Sequence, residues 1–217
     1  GSRAVPALAP GASSSGSTPL TLPAGIGGSY YIVAKADADN VVPESNEGNN
    51  VTVSSRTIFI GPDLLVWLDL PGAFSQVPVG STMLITDYTK NDSQSSAGAS
   101  TTKFYLSSDT TLDASDIALG SRAVPALAPG ALSSASTALA LPAGIAGTYY
   151  IIAMADGDNA LAESNEANNI TASNPMDIGP DLVIAGVSAP SKTGTGSTIY
   201  VNETTKNKGA GSAGAST

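Results

Sequence analysis

The chain has 217 residues, no cysteine, no histidine and a formal net charge of −9. Without those two residue types it has no disulfides, no thiolate or imidazole metal ligands, and no Ser-His-Asp, Cys-His or histidine acid–base machinery. Carboxylate pairs, Ser-Lys couples and oxygen-ligand metal sites are left as routes to chemistry. The acidic excess argues against nucleic acid and anionic membranes as partners, and no apolar run reaches the roughly 18 to 20 residues of a bilayer span, so no membrane insertion is expected in this segment.

An internal repeat organises everything else. Residues 1–50 reappear with few changes at 120–169, and Gly61-Pro62-Asp63-Leu64 returns as Gly179-Pro180-Asp181-Leu182, a period of 118 residues. Solenoid units run to about 20 to 50 residues, so this period is that of a domain. The chain divides into the second half of a truncated copy (1–61), a complete copy (62–179) and the first half of a third (180–217), as expected of a window from a longer array. The two half-copies are expected to bury no core of their own and to expose edges open to strand exchange with another chain.

In chain order, the first copy offers Tyr30, Ile32, Ala34 and Ala36 as an alternating row, repeated without change as Tyr149, Ile151, Ala153 and Ala155. The other row exchanges Lys35 for Met154, so the constant row is expected to face the core. The complete copy contains seven apolar and β-branched runs, at 63–70, 81–90, 100–107, 117–127, 134–141, 148–155 and 169–178, separated by Gly, Pro, Ser, Asn and Asp. Seven short strands and no helical period predict an all-β, immunoglobulin-like antiparallel sandwich. On the first run Leu64, Val66 and Leu68 match Leu182, Ile184 and Gly186, which sets them inward. Trp67, matched by Ala185, then points outward or to a domain junction, as a single contact residue or else a sugar-stacking platform. Tyr149 sits where such sandwiches place a corner tyrosine, its hydroxyl expected on backbone, with Ile151 in the place of a core cysteine.

The acidic loops carry the one chemical constellation. Asp37, Asp39, Asn40, Glu44, Glu47 and Asn49 recur as Asp156, Asp158, Asn159, Glu163, Glu166 and Asn168. Carboxylates and amides are hard oxygen ligands suited to calcium, but Val41, Val42 and Gly48 break the EF-hand register. The competing reading has these side chains capping a hairpin and solubilising its loop. Asp109, Asp113 and Asp116 form a second cluster open to the same two readings. Gly209-Ala210-Gly211-Ser212-Ala213-Gly214 has phosphate-loop spacing, but Ser93, Gln94 and Ser95 stand in the complete copy and no helix pattern follows. Asn50, Asn91, Asn169 and Asn202 open N-x-S/T triplets, read as chance matches, while Asn49-Asn50 and Asn168-Asn169 are expected to hydrogen-bond backbone where the acidic loop re-enters the last strand.

The string Ala155 to Asn169 (ADGDNALAESNEANN), with 91–106 and 141–150, resembles CARDB, the cell-adhesion-related domain of bacteria, over the full repeat and both half-copies. The resemblance implies an immunoglobulin-like sandwich in tandem on secreted or surface proteins of prokaryotes, with no catalytic residues. The expected role is a non-enzymatic adhesive or spacer module, extracellular or at the cell surface, whose partners are neighbouring repeats and a cell-surface protein or glycan. The alternative is a calcium- or carbohydrate-binding accessory module of an extracellular hydrolase.

Overall fold

The structure is a computed structural model and describes residues 1–70 and 76–217. In the first half-copy, strands β1 (Gly28–Tyr30), β2 (Val33–Lys35), β3 (Val51–Val53) and β4 (Ile58–Ile60) form two antiparallel ribbons, β1 with β4 and β2 with β3. A single 3-10 turn, Glu47–Asn49, is capped by Asn46, whose side chain accepts the Gly48 N–H. No residue of 1–61 is buried.

The complete copy contributes β5 (Leu64–Asp69), β6 (Gln76–Val77), β7 (Thr82–Asn91), β8 (Ser100–Ser107), β9 (Ile117–Val124), β10 (Leu132–Ala140), β11 (Gly147–Met154), β12 (Ile170–Ala172) and β13 (Met176–Ile178). One sheet has the order β10-β7-β5; the other runs β6-β13-β11-β8-β9, with β12 also on β11. The last half-copy is one ribbon, β14 (Leu182–Ser188) with β15 (Asn202–Asn207).

Every run expected in the complete copy contains a strand, and the sandwich is all-β, with two refinements. The last run is cut in two, because Ser173 Oγ accepts the Ile151 N–H at 2.9 Å and Pro175 has no N–H to give the ladder. And β6 pairs with β13 in parallel, so the sandwich is not wholly antiparallel.

The core lies entirely between Leu64 and Ile178 among the described residues. It is apolar at one end and polar at the other. Along β7 the inward row reads Met83, Ile85, Asp87, Thr89 and Asn91, all buried; on β8 it reads Ser100, Thr102, Phe104 and Leu106. The polar members of β7 are all held. Thr89 Oγ1 meets Thr102 Oγ1 at 2.9 Å, and Asn91 Nδ2 donates to the carbonyls of Ser95, Leu127 and Ala128. Asp87, fully buried, takes a two-pronged contact from Arg122 of β9, Nε to Oδ1 at 2.8 Å and Nη2 to Oδ2 at 2.6 Å. An ion pair so far from water survives because each charge is matched by the other and by further donors and acceptors; Arg122 also donates to Ser133. It ties one sheet to the other.

Candidate functional site: the acidic loop and the junction between copies

The acidic string is first a backbone device. Asp37, Asn40, Asp156 and Asn159 all have positive φ, between 40° and 53°. Asp and Asn tolerate this left-handed region better than other side chains, so these two positions of the motif are set by chain geometry in both copies. The Asp then caps the turn it opens. Asp37 accepts the N–H groups of Val41 and Val42 at 3.0 and 2.9 Å, and Asp156 Oδ2 accepts that of Leu161 at 2.8 Å.

Both loops close in the same way. Glu47 Oε1 accepts the Glu44 N–H, and Glu166 Oε1 accepts the Glu163 N–H, each at 3.0 Å. The amide of Asn50 donates to Glu44, and that of Asn169 to Glu163. The copies differ in what Glu163 reaches. Its Oε2 accepts the N–H of Leu64 at the start of β5, so the loop is fastened to the first strand of its own domain; Asn168 Nδ2 adds a bond to Asp63 Oδ1 at 2.9 Å. Glu44 is exposed, since the counterpart of β5 does not belong to 1–61. Burial pushes the Glu163 carboxyl up to about 7, with repulsion from Glu166 and Asp156 adding to it and the Leu64 and Asn169 donors opposing it.

The remaining acids are spread apart. Asp158 turns outward to Lys103 at 2.6 Å, and hydrogen bonds from Lys103 and Thr101 hold its carboxyl below the usual range. Asp109, Asp113 and Asp116 bond backbone N–H groups of their own loop. Among the described residues, no three acidic side chains converge in a way that could hold a metal ion. Asp156 Oδ1, Asn168 Oδ1 and Asn169 Oδ1 are buried without a hydrogen-bond partner, and both Glu163 oxygens are taken.

The copies meet at short connections. Gly61 and Gly179, with φ of 110° and 104°, each lead through Pro and Asp directly into the next strand. Asp63 N–H donates to Asn91 Oδ1, and Asp181 N–H to Asn207 Oδ1; Asn91 and Asn207 in turn donate to the carbonyls of Ser95 and Gly211, each at 2.7 Å. The first copy touches the acidic loop of the second: a Cβ on Gly27 would lie 2.2 Å from the Ala162 carbonyl oxygen. A cleft of about 380 Å³ opens at this junction, lined by Phe59 and Gly61 on one side and by Asp63, Asp92, Ser93, Gln94, Ser95, Ser164 and Asn165 on the other.

Several sequence expectations resolve here. Gly209 and Gly211 are small because backbone passes over them; a Cβ on Gly209 would sit 2.4 Å from Asp181 N. Asn91 and Asn169 are buried. Trp67 does face outward, but not alone: it stacks on Tyr88 of β7 with ring centroids 5.4 Å apart and planes within 6°. Tyr30 makes the corner bond, hydroxyl to Gly27 carbonyl at 3.0 Å. Tyr149 packs against the core, yet its hydroxyl has no backbone partner among the described residues, contrary to expectation. The Asp87–Arg122 pair is not anticipated from the sequence at all. Arg3 and Ser14 repeat as Arg122 and Ser133, and both pairs are bonded; that recurrence is the signal the sequence holds for it.

No helix among the described residues is long and apolar enough to cross a membrane. No curated protein matches the chain. Solved structures with similar folds include the CARDB domain of a Pyrococcus furiosus protein in complex with di-metal ions, at 21% identity and TM-score 0.43, covering 56% of this chain and 96% of that one. A domain of a putative cell surface protein from Methanosarcina acetivorans follows at 20% identity and TM-score 0.38, over 52% of this chain and 90% of that one. A β-glucosidase from Listeria innocua in complex with laminaribiose matches at 13% identity and TM-score 0.39, over 54% of this chain but 16% of the enzyme. The CARDB family model matches residues 1–54 and 61–173, and with it the chain belongs to the CARDB family.

Proposed function

We propose that this chain is a non-enzymatic spacer and adhesive segment of an extracellular or cell-surface protein, in which successive copies are held end to end at fixed spacing. CARDB is a non-catalytic domain family, and one structural neighbour is a domain of a cell surface protein. The observation that carries the reading is the junction. The Gly-Pro-Asp connection is short, and contacts cross it at both places: Gly27 packs directly against the Ala162 carbonyl at the first, and the Gly211 N–H donates to the Gly179 carbonyl at 3.1 Å at the second. Copies joined this way add length in regular steps, which suits a stalk, and each adds weak contacts that sum through multivalency.

The test is small-angle X-ray scattering on chains of one, two and three complete copies joined by the native Gly-Pro-Asp, against the same chains joined by a longer Gly/Ser linker. The native series is expected to lengthen by a constant increment and the altered series to behave as flexibly linked beads. Flexible-bead scattering from both series would overturn the spacer reading. Calcium bound by the Asp156 to Asn169 loop belongs to the accessory-module alternative, supported by the three partnerless buried oxygens of that loop.

A further inference from the structure

We propose that the cleft between the first and second copies is a binding site for a neutral saccharide, with Phe59 as its stacking surface. It deepens the adhesive half of the function proposed above by naming a ligand class, and rests on that half alone. The cleft's volume of about 380 Å³ is ample for a small sugar, and junctions between domains are common places for ligands.

Its lining is chemically suited. Phe59 is largely exposed and offers an apolar ring face. Around it stand groups that match a polyol: the Ser95 and Ser164 hydroxyls, which donate and accept, the Gln94 amide, which does both, and Asn165 Nδ2, while the Ser93 hydroxyl is engaged with Asn91 and Ser95. Each of the two carboxylates has one oxygen engaged, Asp63 by a hydrogen bond from Asn168 Nδ2 and Asp92 by Lys90 Nζ at 2.6 Å. The other oxygen of each can accept from a sugar hydroxyl. No basic side chain lines the cleft, and the chain carries a charge of −9, which disfavours an anionic ligand.

At the second junction the lining differs: Phe59 is replaced there by Asp177, Asp92 by Lys208, and Ser93, Gln94 and Ser95 by Gly209, Ala210 and Gly211. The glycines bring backbone into the space the cleft would occupy. The polar and aromatic side chains are thus particular to the first junction.

The experiment is saturation-transfer NMR on the full 217-residue chain, with disaccharides of β-linked glucose, N-acetylglucosamine and galactose as probes. At least one is expected to show transfer, reduced about tenfold in affinity by Phe59→Ala, as loss of one aromatic contact would do, and also weakened by Gln94→Ala. Trp67→Ala and added chelator are expected to leave it unchanged. No transfer to any probe, transfer insensitive to Phe59→Ala, or transfer lost with Trp67→Ala or chelator would each overturn the proposal. A negative result here leaves the scattering test of the spacer reading untouched.

Discussion

Glu163 makes the stability of the complete copy fall as pH rises through neutrality, the reverse of ordinary acid denaturation. Its carboxyl is buried between the acidic loop and β5 and titrates near 7 in the folded protein, against 4.5 for the ordinary group. The folded state therefore binds the proton more tightly than the unfolded chain. The resulting stabilisation is fully present below about 4.5 and is lost as pH climbs to about 7. A difference of about 2.5 units at about 1.4 kcal/mol each gives an upper figure of about 3 kcal/mol. For a domain of this size that is roughly 10 °C in melting temperature. Glu166 and Asp156 face the same carboxyl and reinforce its preference for the neutral form. Asp158 and Asp113, whose carboxyls are held low, act in the opposite sense only in more acidic solution. The assay is circular-dichroism melting between pH 4.5 and 8, for the native chain and Glu163→Gln. A native melting temperature flat or rising over that range, or an equal slope in Glu163→Gln, would refute the reasoning; the second result would assign the slope to general charge repulsion.

Asp87→Ala should destabilise the complete copy by about 3 to 5 kcal/mol in urea unfolding, because it strands Arg122 between the sheets, whereas Asp87→Leu with Arg122→Met should cost less than either single change. A double substitution as costly as the sum of the singles would mean that the two side chains act independently. For calcium, the loop bonds predict that melting curves in chelator and in excess calcium coincide, and that Asp156→Ala lowers stability by about 1 to 3 kcal/mol in both through the loss of its bond to Leu161. A calcium-dependent rise abolished by Asp156→Ala would establish the ion instead.

Comparison of the repeated copies makes the inward row of β11 legible from the amino acids alone, and Ile151, Ala153 and Ala155 are fully buried. Ile152, on the opposite row, is buried as well, on a face that alternation alone assigns to solvent. The strand positions follow from local pattern; the parallel β6–β13 pairing does not, since it joins residues about a hundred positions apart through two-residue contacts. Asp87 lies in a row that reads as strand, and its partner Arg122 in one that reads as weak strand. Only the closing of two sheets brings them together. The acidic string is conspicuous by composition, but composition does not give direction. Left-handed turns at Asp156 and Asn159 aim the carboxylates at N–H groups, and that aim is a property of the folded loop.

The parallel pairing of β6 with β13 has a mechanical meaning. Chain enters the complete copy at β5 and leaves it after β13, which lies beside β6, so tension on the two ends of the domain draws β6 and β13 in opposite directions. Gln76 and Val77 lie alongside Asp177 and Ile178, and Gly179 N–H bonds to the Val77 carbonyl at 3.1 Å. Strands that run the same way and are drawn past one another share the load across all their hydrogen bonds at once, whereas a hairpin pulled at its open end gives them up one at a time. In the spacer role proposed above, resistance to tension would then be concentrated where each domain hands over to the next.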